Sequence, residues 1–266
     1  MSVLLVIPAR HASQRYPGKP LVRLVGATGQ GASLIERTWR AGQAVSGVDR
    51  AIVATDDDRI ADAARAFGAD VLMTSESCEN GTERCADALD RLGGGYDIVV
   101  NLQGDAPLTP PWFVERLIEA LSAHPTAEVA TPVLRCDGRA LARFREDRRA
   151  GLVGGTTAVF DAEGRALYFS KEVIPFVAGD FADDAPTPVF HHVGVYAYRP
   201  SALAAYPRWR AGPLERHEGL EQLRFLERGR PVLCVEVDAR GRHFWEVNTP
   251  EDVPRVEAML SDLRIP

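Results

Sequence analysis

Four apolar runs of strand length, at residues 3–7, 51–54, 71–73 and 98–101, alternate with stretches of helical period at residues 34–44, 60–67 and 82–92. Parallel neighbours in a sheet need a long crossover between them, and an amphipathic helix is the usual one, so this alternation predicts βαβ units and a mostly parallel sheet. Residues 129–134, 157–160, 193–198 and 232–237 read as further strands, and residues 112–121, 214–227 and 250–263 as helices, which predicts a mixed sheet in the second half. The 249–252 segment, Thr-Pro-Glu-Asp, is a helix start with Pro in the first turn and acids at the positive end of the helix dipole, and it puts Asn248 at the end of the preceding strand or loop. The Gly-rich stretch 26–33 and the acidic, Pro-containing stretch 178–188 read as exposed, mobile loops. No internal repeat or linker divides the chain.

A chain of 266 residues can bury a core without disulfide or metal staples. The four cysteines (Cys78, Cys85, Cys136 and Cys234) show neither CxxC nor Cys/His ligand spacing, so they read as reduced thiols. A formal net charge of −6 disfavours a general nucleic-acid binder, while local cations can still hold a small anion. The first apolar run is too short for a signal-peptide core and no run reaches membrane-spanning length, so a cytoplasmic protein without a membrane partner is expected.

Two segments carry chemistry. Residues 7–21 follow the first strand directly and space Arg10, Arg15 and Lys19 among small turn residues. Backbone N–H groups of such a loop can face phosphate oxygens while the cations neutralise a leaving pyrophosphate. The segment has neither the Walker A nor the dinucleotide glycine spacing, and the same cations would also suit a solvated basic loop. Residues 101–107, Asn-Leu-Gln-Gly-Asp-Ala-Pro, end a strand in a Gly-Asp turn, where Asp105 can hold Mg2+ against nucleotide phosphates or simply form the turn.

With these two segments, the chain resembles the bacterial 3-deoxy-manno-octulosonate (Kdo) cytidylyltransferases over nearly its full length. The resemblance is also carried by the segments 54–56, 81–84, 161–164 with 166–170, 193–199, 213–215 with 220–224, and 249–252. It implies an α/β, Rossmann-like nucleotide-diphospho-sugar transferase fold with a mixed, mostly parallel sheet and a smaller sugar-binding and dimerisation lobe. Residues 1–130 would serve mainly the nucleotide, and residues 131–266 the sugar and a homodimer interface. It also implies transfer of CMP from CTP to the anomeric hydroxyl of an acidic sugar, with Mg2+ as cofactor.

By that resemblance Arg10, Lys19 and Asp105 are catalytic, and Pro8, Ala9, Arg10, Ser13, Arg15, Lys19, Thr55, Gly81, Thr82, Arg84 and Gln103 surround the nucleotide. Gln103, Lys171, His192, Tyr196, Glu221 and Gln222 line the sugar side, and Asp105 and Asn248 hold the metal. Taken without the family, Tyr196 equally suits core packing, and the adjacent His191 and His192 suit packing or surface positions, because strand neighbours point to opposite faces.

Four positions depart from the family pattern. Ala106 replaces the Glu of Gly-Asp-Glu-Pro, Asn248 the Asp of Val-Asp-Thr-Pro, Thr157 a Lys, and Lys171 an Arg. Asn248 keeps a hard oxygen ligand but loses its charge, which implies weaker metal binding. Loss of a guanidinium fork at Lys171 changes how a carboxylate or hydroxyl pair is held. A different 2-ulosonic acid as acceptor, or a catalytically silent nucleotide-binding protein, are the readings these departures motivate.

Overall fold

The computed structural model describes residues 1–12, 15–152, 155–242 and 245–266. Strand β1 (Val3–Ala9) is buried at every position, as a strand must be when helices cover both faces of its sheet. A short antiparallel hairpin, β2 (Arg23–Val25) and β3 (Gly31–Ser33), leads into α1 (Leu34–Gln43), whose first turn is closed by Ser33 accepting from the Glu36 N–H at 3.3 Å. β4 (Arg50–Thr55), α2 (Asp58–Ala66), β5 (Val71–Met73), α3 (Gly81–Arg91), β6 (Ile98–Leu102) and α4 (Pro111–Ala123) complete the βαβ series. Asp57 caps α2, and Asn80 caps α3 by accepting from the Glu83 N–H at 2.9 Å.

The second half adds β7 (Val129–Asp137), α5 (Gly138–Arg149), β8 (Thr156–Phe160), β9 (Ala166–Ser170), β10 (Pro186–His192), β11 (Val195–Tyr198), α6 (Pro200–Ala205), α7 (Pro213–Glu218), α8 (Leu223–Glu227), β12 (Val232–Glu236) and α9 (Asp252–Asp262). The main sheet runs β5-β4-β1-β6-β11-β7-β10-β8-β9, with β12 paired to β7. Pairings among β5, β4, β1 and β6 are parallel, as is β12 with β7, and the rest are antiparallel. Period-two alternation along β1 divides the core: Val3, Leu5 and Ile7 face one apolar cluster, with Phe113 and Leu117 of α4, while Leu4 and Val6 face another, with Cys85 and Leu89 of α3 and Tyr198. Each such side chain contributes about 1.5–3 kcal/mol by leaving water.

The chain leaves β1 toward β4 and β5, then returns to β6 on the other side of β1. At such a switch the connections part beyond the carboxyl ends of the strands and leave a crevice. The loops after β1 and β6 therefore meet there, and β11, antiparallel to β6, sets Tyr196 opposite Asn101 beside it.

Several expectations need correction. The 26–33 stretch is a loop only in part: residues 27–30 are exposed as expected, but the stretch ends in β3, and Arg37 donates to the Gln30 carbonyl at 3.4 Å. The 178–188 stretch likewise runs into β10, which begins at Pro186. The helix expected over 214–227 breaks at Gly219, which takes the left-handed conformation (φ 62°) that favours glycine, and resumes at Leu223. The expected strand 193–198 begins at Val195, because β10 ends at His192 and the chain turns at Gly194. α9 begins at Asp252 rather than at Pro250, since Asp252 accepts from the N–H groups of Asn248 and Thr249 (both 2.8 Å) and closes a turn ahead of the helix.

Among the described residues, no helix is long and apolar enough to cross a membrane. The four cysteines are free and buried, and burial pushes the thiols of Cys136 and Cys234 up to about 12, which keeps them protonated and inert.

Candidate active site

The crevice is a cavity of roughly 540 Å³ lined on one wall by Pro8, Ala9, Arg10, Arg15 and Lys19, on its floor by Gly81, Arg84, Gln103 and Asp105, and opposite by Tyr196, Glu221 and Gln222. Another cavity, about 660 Å³, lies between α3 and the Trp209 turn; none of the side chains expected to meet the nucleotide, sugar or metal lines it, although Cys78, Glu83 and Arg224 do.

The loop after β1 is folded back on itself by the Gly18 N–H donating to the His11 carbonyl at 3.0 Å, and a short 3-10 turn over Lys19–Leu21 follows. This return aims the cations. Lys19, almost wholly buried, donates to Asp105 Oδ2 at 2.6 Å; Arg15 donates to Asn248 Oδ1 at 2.9 Å; and Arg10 reaches the Glu79 carbonyl at 3.0 Å. Two of the three cations are thus anchored to the two positions expected to hold metal, while Arg10 and Arg15 themselves remain exposed. Ser13 lies outside the described residues.

The floor is rigid. Arg84, 2% exposed, donates to Thr74 Oγ1 at 2.6 Å and to Asp56 Oδ2 at 2.9 Å, so its fork is held in place from behind. Thr82 is fully buried and does not line the cavity; its N–H donates to Glu221 Oε2 at 3.0 Å and its hydroxyl meets the Tyr198 hydroxyl at 2.8 Å. Thr55 is also fully buried at the end of β4, where its hydroxyl accepts from the Asp57 N–H at 3.3 Å, so it shapes the floor without facing the cavity.

On the opposite wall the break at Gly219 turns Leu220, Glu221 and Gln222 into the cavity, which a continuous helix would not do. Glu221 Oε1 accepts from Gln103 Nε2 at 3.0 Å, and burial pushes its carboxyl upward against the stabilising Thr82 and Gln103 donors. Tyr196 donates to Gln222 Oε1 at 3.0 Å, which leaves Gln222 Nε2, itself buried, with no partner among the described residues. Three hydrogen-bonding side chains thus line this side of the cavity with one donor to spare.

His192 stands one layer behind this wall and does not line the cavity. Its Nε2 meets Thr131 Oγ1 at 2.9 Å, its ring packs against Phe169 and Tyr196, and burial holds it neutral by lowering its pKa to about 3. Its contact on the cavity side is the Tyr196 ring. His191 points to the other face and packs against Phe144, as alternation requires. Lys171 lies beside the wall, its Nζ 3.0 Å from where a Cβ at Gly219 would stand. The Thr157 hydroxyl is spent on the backbone, donating to the Glu172 carbonyl at 2.6 Å and accepting from the Ile174 N–H at 3.2 Å, so this position offers no charge to a ligand.

Sequence reasoning missed two groups. Arg224 donates twice to Glu215 (2.7 Å each) and once to Glu83 (2.8 Å), joining α7, α8 and the first turn of α3, and so fixes Glu221 and Gln222 against the floor. The segments 213–215 and 220–224 were visible, but nothing in them revealed a partner in α3. The second is Glu246, half-buried in a segment tied to the 105 turn by the Val247 N–H donating to the Asp105 carbonyl at 3.1 Å; burial first, then the Asp105 charge, pushes its carboxyl upward.

Among the described residues no group of three or more His, Cys, Asp or Glu side chains forms a ready metal cage. The donor set nevertheless fits magnesium, which takes one or two protein carboxylates and completes its shell with water and substrate phosphates. Asp105 Oδ2 and Asn248 Oδ1 are hard oxygen donors, and the cationic groups of Lys19 and Arg15 already rest on them.

A family model described as cytidylyltransferase matches residues 4–233. The chain is 47% identical over 261 residues to a 3-deoxy-manno-octulosonate cytidylyltransferase of Maricaulis maris, with 98% of each chain covered. It is 41% identical to the protein of that name from Chlamydia pneumoniae, covering 97% of this chain and 93% of that one. A solved structure of CMP:2-keto-3-deoxy-manno-octonic acid synthetase complexed with CTP matches with a TM-score of 0.83 at 32% identity, covering 99% of this chain and all of the other.

Proposed function

The chain belongs to the 3-deoxy-manno-octulosonate cytidylyltransferases within the wider cytidylyltransferase family, and on that premise we propose that it transfers CMP from CTP to the anomeric hydroxyl of Kdo and releases pyrophosphate. The observation that carries this reading is the opposition, across one cavity, of a cationic wall (Arg10, Arg15, Lys19) and a hydrogen-bonding wall (Tyr196, Glu221, Gln222). One wall suits a triphosphate and the other a polyhydroxylated acid.

The reaction is an in-line displacement at the α-phosphate, for which positioning and charge stabilisation suffice. Arg10, Arg15 and Lys19 hold the triphosphate and stabilise the charge that grows on the leaving pyrophosphate, with the backbone of Pro8 and Ala9 beneath it. Gly81, Arg84 and Gln103 form the nucleotide floor, backed by Thr55 and Thr82. Glu221 accepts from sugar hydroxyls, the spare Gln222 Nε2 donates to the acceptor, and Lys171 lies where it can meet the sugar carboxylate. His192, through Tyr196, keeps that wall in place. Magnesium held by Asp105 and Asn248 supplies, when bound, positive charge that offsets the repulsion between two anionic substrates.

The same reading takes the first half of the chain as mainly nucleotide-binding and the second as mainly sugar-binding, acting in the cytoplasm as a homodimer. Exposed Leu167 on the edge strand β9 and exposed Phe176 support an interface on the second-half strands. The neutral Thr157 and the Lys171 ammonium favour one variant reading, a related 2-ulosonic acid as acceptor. Pyrophosphate release measured with CTP, UTP or ATP, with and without magnesium and a panel of 2-ulosonic acids, tests all of this together. Release only with CTP, magnesium and Kdo is the expected result; release with CTP and only another acid selects the variant, and none with any acceptor defeats both.

A further inference from the structure

Lys171 is gripped by its backbone and unspent at its head. Glu218 Oε2 accepts from the Lys171 N–H at 2.8 Å, and Arg148 Nε donates to the Lys171 carbonyl. Among the described residues the ammonium itself has no hydrogen bond or ion pair, and its Nζ lies 3.0 Å from where a Cβ at Gly219 would stand. Gly219 lines the cavity, so this half-buried cation sits at the cavity rim, and the missing side chain leaves the room it occupies.

Glu218 does more than hold one N–H. Its Oε1 accepts from Ser170 Oγ at 2.7 Å and from the Tyr168 hydroxyl at 3.3 Å, so one carboxylate gathers donors from the end of β9 and from the residue that follows it. Glu218 is also the last residue of α7 and directly precedes the left-handed turn at Gly219 that brings Leu220, Glu221 and Gln222 into the cavity. Hydrogen bonds to an ionised acceptor are the stronger kind, so this joint between β9 and the break in the helix is firm. Arg148 anchors the other side of Lys171, since its remaining nitrogens donate to the carbonyls of Leu152 (2.9 Å) and Gly155. A lysine carries its charge on a flexible four-carbon stem, and the charge is placed only as well as the backbone beneath it.

Resting on the reading above, in which the acceptor is an acidic sugar, we propose that Glu218 is a positioning residue for that acceptor: it clamps the Lys171 backbone against the Gly219 turn and so holds the ammonium where the sugar carboxylate arrives. Glu218 touches neither substrate in this role. Its effect passes through Lys171 alone, and it bears on the acid rather than on CTP.

The test is a double-variant cycle read in KM for the 2-ulosonic acid that the parent turns over best, at saturating CTP and magnesium, with CTP affinity measured separately by calorimetry. Lys171→Met raises that KM at least about tenfold, the share of one charge-assisted hydrogen bond. Glu218→Gln keeps the size but replaces one accepting oxygen by an NH2 group, which releases at least one of the donors. It raises the same KM at least about threefold, since a small misplacement of a binding group is costly, and leaves CTP affinity unchanged. Adding Glu218→Gln to Lys171→Met raises KM no further, because the two act through one ammonium. Ser170→Ala withdraws a single donor from Glu218 and shifts KM in the same direction, which serves if Glu218→Gln does not fold.

If Lys171→Met raises KM while Glu218→Gln, or Ser170→Ala in its place, leaves it within experimental error, the acceptor reading survives and the clamp is overturned. If the two effects multiply in the double variant, or CTP affinity falls along with the acid's, Glu218 supports the site as a whole and the proposal is equally overturned. If Lys171→Met leaves KM unchanged, the proposal fails with the part given to Lys171. No pyrophosphate release by the parent with any 2-ulosonic acid removes the premise and the proposal together.

Discussion

Replacing Asp105 by Asn isolates one charge at the centre of the site, and its two consequences differ in size. Lys19 Nζ stands 2.6 Å from Asp105 Oδ2, with side chains 11% and 26% exposed. At an effective dielectric near 20 the bare attraction at that separation is about 6 kcal/mol, but most of it repays the removal of both groups from water. The partial exposure of Asp105 lowers the net loss further, and Glu246 remains near Lys19, so the variant should lose about 1–3 kcal/mol of stability. For a chain of this size that is a fall in melting temperature of roughly 2–10 °C, which leaves a folded protein. Turnover should suffer more: a group that fixes charge at the transferring phosphate is worth about a hundredfold or more in kcat, close to 3 kcal/mol of barrier. Thermal melting and steady-state pyrophosphate release, taken on the same preparation, separate the two effects. Turnover within about threefold of the parent, less than 1 kcal/mol of barrier, would refute the role of Asp105.

Gln222→Ala removes the spare donor and the acceptor for Tyr196, so KM for the sugar acid should rise about tenfold while CTP binding, read by calorimetry, stays unchanged. Arg224→Met leaves the carboxylates of Glu215 and Glu83 without their partner, and the expected cost is about 3–5 kcal/mol in chemical denaturation, as for other half-broken buried pairs. His191 and His192 are held neutral down to about 4 and 3 against 6.5 when unfolded. The unfolded chain therefore binds the extra protons, and stability, complete above pH 6.5, falls as pH drops from there toward 4, by about 1.4 kcal/mol per pH unit for each histidine. His192→Asn should flatten that slope by one histidine's share relative to the parent, and an equal slope in urea titrations at successive pH values would contradict the buried, neutral ring.

Much of the fold was legible because it is local. The all-apolar 3–7 run, the later apolar runs and the helical periods between them marked each βαβ element to within a few residues of where it lies. The 214–227 helix was misread because the stop that Gly219 offers in its left-handed conformation was passed over, and the break is held by Arg224 packing against α3. β9 and β10 were missed as strands, and their registers against β8 and β7 are set by partners distant in the chain.

The site divides in the same way. Which side chains could carry charge, and on which loops, was determined by the sequence: Arg10, Arg15, Lys19 and Asp105 each follow a strand whose end was already visible. Which of them meet was not, because Lys19 and Asp105 are 86 residues apart and Arg15 and Asn248 are 233 apart, and no local preference encodes such a pairing. Burial is likewise a property of the assembled layers, so His192 and Thr82 went behind the cavity wall while Glu221 and Gln222 came through it. Glu246 carries no signal of its own in the chain, and its place comes only from the tertiary structure, where Val247 buries inward, Gly194 leaves room and the 245–248 segment is tied to the 105 turn.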